Sequence, residues 1–114
     1  VVVPDSYHQV IKIKSKTCAW SHGHMSGGSG NPETKIENWW KGQMYGHLPS
    51  GEAEILVTGH YHHFRSKQQG NRTWFQTPSL DKSIDFTSRT GLWSHPGVLT
   101  FTVNKKGWDN LAIL

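Results

Sequence analysis

Apolar and polar positions recur along this chain with periods that change from segment to segment, and the changes mark the elements. Between Gln9 and Trp20, Val10, Ile11 and Ile13 are interleaved with Lys12, Lys14 and Lys16, and the segment closes on the apolar run Thr17 to Trp20. This partial period of two predicts one strand, with its lysines outward on an exposed side or a sheet edge. The run from Ser26 to Gly30 alternates Ser and Gly and predicts a loop. Asn31 then stands at a capping position, Pro32 at the first helical position, and Glu33 near the positive end of the helix dipole. Ile36, Trp39, Trp40, Gln43 and Met44 recur at spacings of three and four. They predict a helix with one mainly apolar stripe, running to about Tyr45 and stopped at Gly46.

After a loop over His47 to Gly51, Glu54 to Thr58 carries the continuous apolar run Ile55, Leu56, Val57. A short run of this kind suits a strand buried on both faces. A turn around Gln69, Gly70 and Asn71 leads into a strand over Thr73 to Thr77, and the polar stretch Asp81 to Pro96 reads as a loop with one weak strand or turn. Val98 to Val103 alternates well, Asn104 to Gly107 is a hairpin turn, and Trp108 to Leu114 returns as the last strand. The order is strand, helix, strand, strand, loop, strand, strand. It predicts an α+β class, with a mainly antiparallel or mixed sheet and one main helix, in a single domain over residues 1–114.

Composition adds limits. Hydrophobic residues make up 34% of the 114, so the 6 Trp, 4 Phe and 3 Tyr must supply much of the buried area. The net charge of +4 is mild and its basic residues are spread out, which permits an acidic or phosphate-bearing partner without requiring one. One cysteine, Cys18, excludes an internal disulfide and reads as a small core residue. No apolar run approaches the roughly 20 residues of a membrane-spanning helix, and no signal peptide is visible, so a cytoplasmic protein with no membrane contact is expected. The chain begins at Val1 without Met, which points to a processed, truncated or engineered start.

Candidate chemistry rests on the histidines. There are 8, and five fall in two groups: His22 with His24, and His60, His62 with His63. Each group directly follows a predicted strand and adjoins a glycine, and strand ends are where sheets present binding groups. In extended backbone, residues i and i+2 point the same way, so His60 and His62 would face one site, and His22 and His24 likewise. Neutral imidazole ligates zinc, manganese, iron or nickel. His8, His47 and His95 stand apart from these groups and read as ordinary hydrogen-bonded residues.

Gly59-His60-Tyr61-His62, directly after Ile55 to Thr58, resembles the Gly-His-x-His motif of calcineurin-like metallophosphoesterases. Ser21-His22-Gly23-His24 resembles the family's preceding histidine motif, and Thr77-Pro78-Ser79-Leu80 its segment beside the site. The resemblance covers about residues 10 to 114. From Trp39 to Leu99 it looks most like phage and actinobacterial members, which include nuclease-like enzymes. It implies the C-terminal half of a two-sheet sandwich and hydrolysis of phosphoesters, nucleic acid among the candidate substrates, at two divalent ions (Mn, Fe or Zn). It further implies His22, His60 and His62 as metal ligands, and His24 as the alternative ligand or the catalytic proton donor. His63 lies outside the motif and is expected to pack or to contact substrate phosphate; Arg65, Lys67 and Arg72 follow the motif and read either as phosphate contacts or as solvated charges on a hairpin.

This sequence departs from the family in its carboxylates. An Asp-x-His element, a bridging Asp and an Asn-His pair are absent, and Asp5, Glu33, Glu37, Glu52, Glu54, Asp81, Asp85 and Asp109 lie in other contexts. A carboxylate bridge holds two cations close against their repulsion, and neutral histidines cannot offset that charge. The 114 residues alone are therefore expected to bind metal weakly and hydrolyse little, and a missing N-terminal half or another chain would complete the site. An exposed apolar face awaiting that partner would favour homo-oligomers. Two other readings compete. One is a non-enzymatic β-rich module binding nucleic acid or protein, whose imidazoles would point apart. The other is a mononuclear three-histidine protein of cupin type, which would be a closed barrel.

Overall fold

The computed structural model describes residues 7–24, 30–80 and 95–114. Most of the Ser/Gly loop and most of the polar stretch expected over 81–96 lie outside the described residues. Strands β1 (His8–Ile13) and β2 (Lys16–Ser21) are followed by helix α1 (Pro32–Tyr45), a 3₁₀ turn (Pro49–Glu52) and strand β3 (Ile55–Thr58). Strands β4 (Arg65–Gln69), β5 (Arg72–Gln76), β6 (Leu99–Asn104) and β7 (Gly107–Ile113) complete the order. The main sheet has five strands in the order β1-β2-β3-β5-β4, and β6 and β7 form a separate two-stranded sheet. The class is α+β with a mixed sheet, as the hydrophobic pattern predicts. β2, β3 and β5 run parallel, and β1 and β4 are antiparallel edges.

Two details differ from the pattern. The segment expected as one strand from Gln9 to Trp20 is a hairpin, folded at Lys14 and Ser15, which take φ of 47° and 69°. A two-residue turn with both φ positive matches the right-handed twist of the flanking strands, but its usual residues are Asn and Gly. The regular lysine spacing carries across the turn and hides it. The second detail is β4, whose residues Arg-Ser-Lys-Gln-Gln have no apolar alternation because it is a polar edge strand.

The cap is formed as expected, with Asn31 Oδ1 accepting from the Thr34 amide at 2.9 Å. Of the helix stripe, Ile36 and Trp40 are buried, Trp39 packs at the margin, and Met44 is exposed at 40%. Alternation in β2, β3 and β5 then splits one apolar run between two layers. Ala19, Leu56 and Trp74 face α1, packing with Ile36, Trp40 and Ala53. Cys18, Ile55, Val57 and Phe75 face the small sheet, meeting Leu99, Phe101, Val103, Trp108 and Leu111. Burial at Cys18 and the nearby Glu54 charge push its thiol pKa up, as suits a core residue rather than a nucleophile.

Indole N–H groups tie the layers together. Trp40 donates to the Ser50 carbonyl at 2.9 Å, Trp74 to Thr58 Oγ1 at 2.8 Å, and Trp108 to Thr73 Oγ1 at 2.9 Å. The 3₁₀ turn lies so close to α1 that a Cβ at Gly51 would stand 2.4 Å from the Met44 amide nitrogen, so glycine is required there. Lys67 on β4 reaches Glu33 and Glu37 on α1 at 3.2 and 3.0 Å, which closes the helix over that sheet edge. The open five-stranded sheet, with β1 and β4 as its edges, excludes the closed barrel of the cupin reading.

Candidate metal centre

Register places the site. Ser21, Thr58 and Gln76 are in line across the parallel strands, and His8 of β1 and Arg65 of β4 sit opposite Ser21 and Gln76. The carboxyl ends of β2, β3 and β5 therefore open on one side of the sheet, the position where open α/β sheets bind ligands. The two histidine groups begin immediately beyond. Gly59 donates its amide to the Ser21 carbonyl at 3.3 Å, and Thr77 donates to the Thr58 carbonyl at 2.8 Å, so adjacent loops leave the sheet in parallel.

Gly23 makes the approach of the two loops possible. It has φ of 89°, is buried, and turns the chain so that a side chain there would face Ile36, Thr58 and Gly59. His22 and His60 then meet, with His22 Nε2 3.2 Å from His60 Nδ1 and ring centroids 5.0 Å apart. His24 lies 5.1 Å from His22 and 6.4 Å from His60 by ring centroid. Three of the predicted site residues are thus gathered at one end of the sheet.

The route by which the second group reaches the site is different from the extended one the sequence suggests. His60 and His62 have φ of 71° and 62°, in the left-handed region. A residue with a Cβ costs about 1–2 kcal/mol there, and such strain clusters where function requires it. The loop is coiled, with Tyr61 donating to the Gly59 carbonyl at 2.9 Å and its ring edge-on to His60 at 4.8 Å. His62 lies near enough for its charge to bear on His60. His63 accepts at its carbonyl from Gln76 Nε2 at 2.8 Å, while its Nε2 is buried with no hydrogen-bond partner. Arg65 stands at the site end of β4, whereas Lys67 and Arg72 are engaged against α1.

Electrostatics favour neutral imidazole. His60 has its pKa lowered, first by burial and then by the nearby charges of His22, His24 and His62. His8 is also lowered, by burial and then by His24. Neutral imidazole is the form that carries a lone pair for a cation. His8 is the site-edge residue that reading the sequence set aside. Its Nδ1 lies 3.0 Å from Ser21 Oγ, which also accepts from the Gly23 amide, and its ring lies 4.8 Å from Trp39. The signal that would have found it is the turn at Lys14 and Ser15, which pairs His8 with Ser21.

The 3.2 Å between His22 Nε2 and His60 Nδ1 suits two ligands of one cation. Bonds of about 2.0–2.1 Å at a tetrahedral angle set two nitrogens about 3.3 Å apart. Among the described residues, no group of three or more His, Cys, Asp or Glu is arranged to hold a metal ion. The fit is therefore that of a two-imidazole corner, not of a complete coordination sphere.

This mixed sheet, with histidines at the carboxyl ends of its parallel strands, a covering helix and a second small sheet, is an α+β fold consistent with part of a metallophosphoesterase-like one. The structure is similar to that of Vps29 from Entamoeba histolytica complexed with zinc, at 21% identity and a TM-score of 0.65, covering 89% of this chain and 49% of that one. A single mutant of the same protein matches at 17% and 0.64, covering 95% and 61%. Vacuolar protein sorting 29 from Cryptosporidium parvum matches at 14% and 0.54, covering 95% and 55%. At these identities the likeness concerns the fold. The chain spans 49% to 61% of the length of these structures. No protein-family profile and no curated protein matches the sequence.

Proposed function

We propose that this chain supplies the histidine wall of a metal-dependent phosphoester hydrolase, with His22 and His60 as ligands of a divalent cation and His62 turned toward a second. The observation that carries the reading is the His22–His60 nitrogen pair at 3.2 Å, at the mouth of the parallel strands. Two strained histidines in one loop and the zinc complex of the similar Vps29 support it. Bound divalent ions would supply Lewis-acid activation of a phosphoester. The chain's own residues do the rest: the imidazoles hold the cation corner, and His24 delivers a proton to the leaving oxygen. Arg65 sits at the same sheet end to receive phosphate charge. The anionic ligands that two cations need are contributed by residues outside this chain, as its C-terminal-half resemblance implies.

Zinc titration of the protein, followed by the imidazole resonances, tests this reading. The signals of His22 and His60 should shift together, and His60→Ala should weaken binding by about tenfold or more. His47 and His95 should stay unmoved. If zinc shifts those two and leaves the signals of His22 and His60 in place, the metal reading fails. A second reading takes the fold as a protein-binding scaffold. Exposed Leu80, Val98, Ile113 and Leu114 favour it, gathered where Val98 and Leu114 exchange backbone hydrogen bonds at 3.1 and 3.0 Å. Under that reading His60→Ala leaves partner binding unchanged, while Leu114→Asp abolishes it.

A further inference from the structure

A groove of about 240 Å³ lies between α1 and the β4–β5 hairpin, against the helix-facing side of the sheet and lined by none of the clustered histidines. Ile36, Trp40, Met44 and Trp74 line it, and its charge comes from Lys41, Lys67 and Arg72 against the single acid Glu37. Arg72 is the unusual component. Its guanidinium carbon lies over Trp40, 3.7 Å from the ring centroid. Stacking of this kind uses the face of the guanidinium and leaves its in-plane N–H donors to find acceptors.

Those donors are poorly met. Nη1 points at the Met44 sulfur at 3.4 Å, a weak acceptor, and Nη2 at the Gly51 carbonyl, also at 3.4 Å. Nε is buried with no hydrogen-bond partner. Among the described residues no carboxylate forms an ion pair with Arg72, and Glu52 acts on it only as a charge at a distance. Glu37, the acid in the groove wall, is engaged by Lys67 at 3.0 Å and by Lys41 at 3.7 Å. Burial disfavours the charged form of Arg72, lowering its pKa from the usual value. A half-buried cation with long contacts is a costly arrangement unless an anion completes it.

We propose that this groove binds a small organic anion, its carboxylate or phosphate paired with the remaining N–H donors of the two terminal nitrogens of Arg72 and its flat apolar body seated beside Met44 and Trp74. A planar acid matches both halves of the lining: the fork of donors fits two oxygens at once, and the apolar wall excludes water from the pair. The volume of about 240 Å³ accommodates a single ring with its head group. The chemistry is shared by aromatic carboxylates and aryl phosphates.

The test uses the wild-type protein and four probes: benzoate, phenyl phosphate, neutral benzamide and inorganic phosphate. The indole N–H signals of Trp40 and Trp74 are followed by NMR during each titration. Benzoate or phenyl phosphate should shift both signals to saturation, and the tighter of the two identifies the head group. Benzamide and inorganic phosphate should bind at least about tenfold more weakly, since each lacks one half of the match. Arg72→Met should remove the response, Arg72→Lys should weaken it about tenfold by losing the fork, and Lys12→Ala, exposed on β1 at the opposite edge of the sheet, should leave it unchanged. Benzamide binding as tightly as benzoate overturns the proposal, as does an undiminished response in the Arg72→Lys protein. Wild-type titrations alone decide the matter should Arg72→Met fail to fold. None of these residues belongs to the histidine cluster, so zinc binding is unaffected by either outcome.

Discussion

Replacement of Gly23 by Ala isolates the link between backbone conformation and the metal corner. Gly23 has φ of 89°, and a Cβ added there would meet the Gly59 carbonyl at 3.4 Å and Ile36 Cδ1 and Thr58 Cβ at 3.5 Å. Those are ordinary contact distances, so the added methyl group fits. The cost is conformational: an L-residue held at positive φ loses about 1–2 kcal/mol. Gly23→Ala should therefore lower the urea midpoint by about 0.3–2 M, given a slope of about 1–3 kcal/mol/M. Relief of the strain would swing the loop and separate His22 from His60, so zinc affinity should fall in the same protein. Gly42→Ala is the opposite control. Gly42 lies inside α1 with nothing within 4 Å of its would-be Cβ, and the change should raise stability by about 0.5–1 kcal/mol. An unchanged midpoint together with unchanged zinc affinity in Gly23→Ala would refute the reasoning.

Phe75→Ala should cost about 3–5 kcal/mol by chemical denaturation, because the ring is fully buried and packs tilted against Phe101 at 5.1 Å and edge-on against Trp108 at 4.9 Å. A loss under about 1 kcal/mol would mean that the β6–β7 sheet does not dock through it. The pH dependence follows from His8 and His60, whose pKa values are lowered in the folded protein below their unfolded value of about 6.5. The unfolded chain then takes up protons before the folded one does. Their contribution is fully present above pH of about 6.5 and is lost as pH falls through the folded values, so metal-free protein should become less stable on acidification through that window. His60→Gln should flatten the slope, and stability that rises as the pH drops below 6.5 would reverse the sign of the argument.

Much of this protein could be read from residue order because local chemistry decides it. The helix follows from Asn31, Pro32 and the stripe at Ile36 and Trp40, all within one segment, and its cap is formed as the side chains dictate. The run Ile55 to Val57 announces a strand with two buried faces, since nothing else accommodates it without wetting apolar surface. The grouping of histidines at strand ends also reads directly, because glycine and a terminating strand lie beside each group.

Tertiary structure decided what depends on contacts between distant residues. The turn at Lys14 and Ser15 is held by pairing of β1 with β2, not by its own residues, and that pairing alone carries His8 to the site. The polar edge strand β4 exists because β5 offers it a ladder and α1 offers Lys67 two carboxylates. The left-handed backbone at His60 and His62 is imposed from outside, since isolated histidines would avoid it. Nothing in the order of residues places Arg72 beside Trp40, and only the packing of α1 on the sheet brings the two together. Local propensity is a matter of neighbours in the chain, whereas strain, edge pairing and half-buried charge are tolerated only where surrounding packing outweighs them.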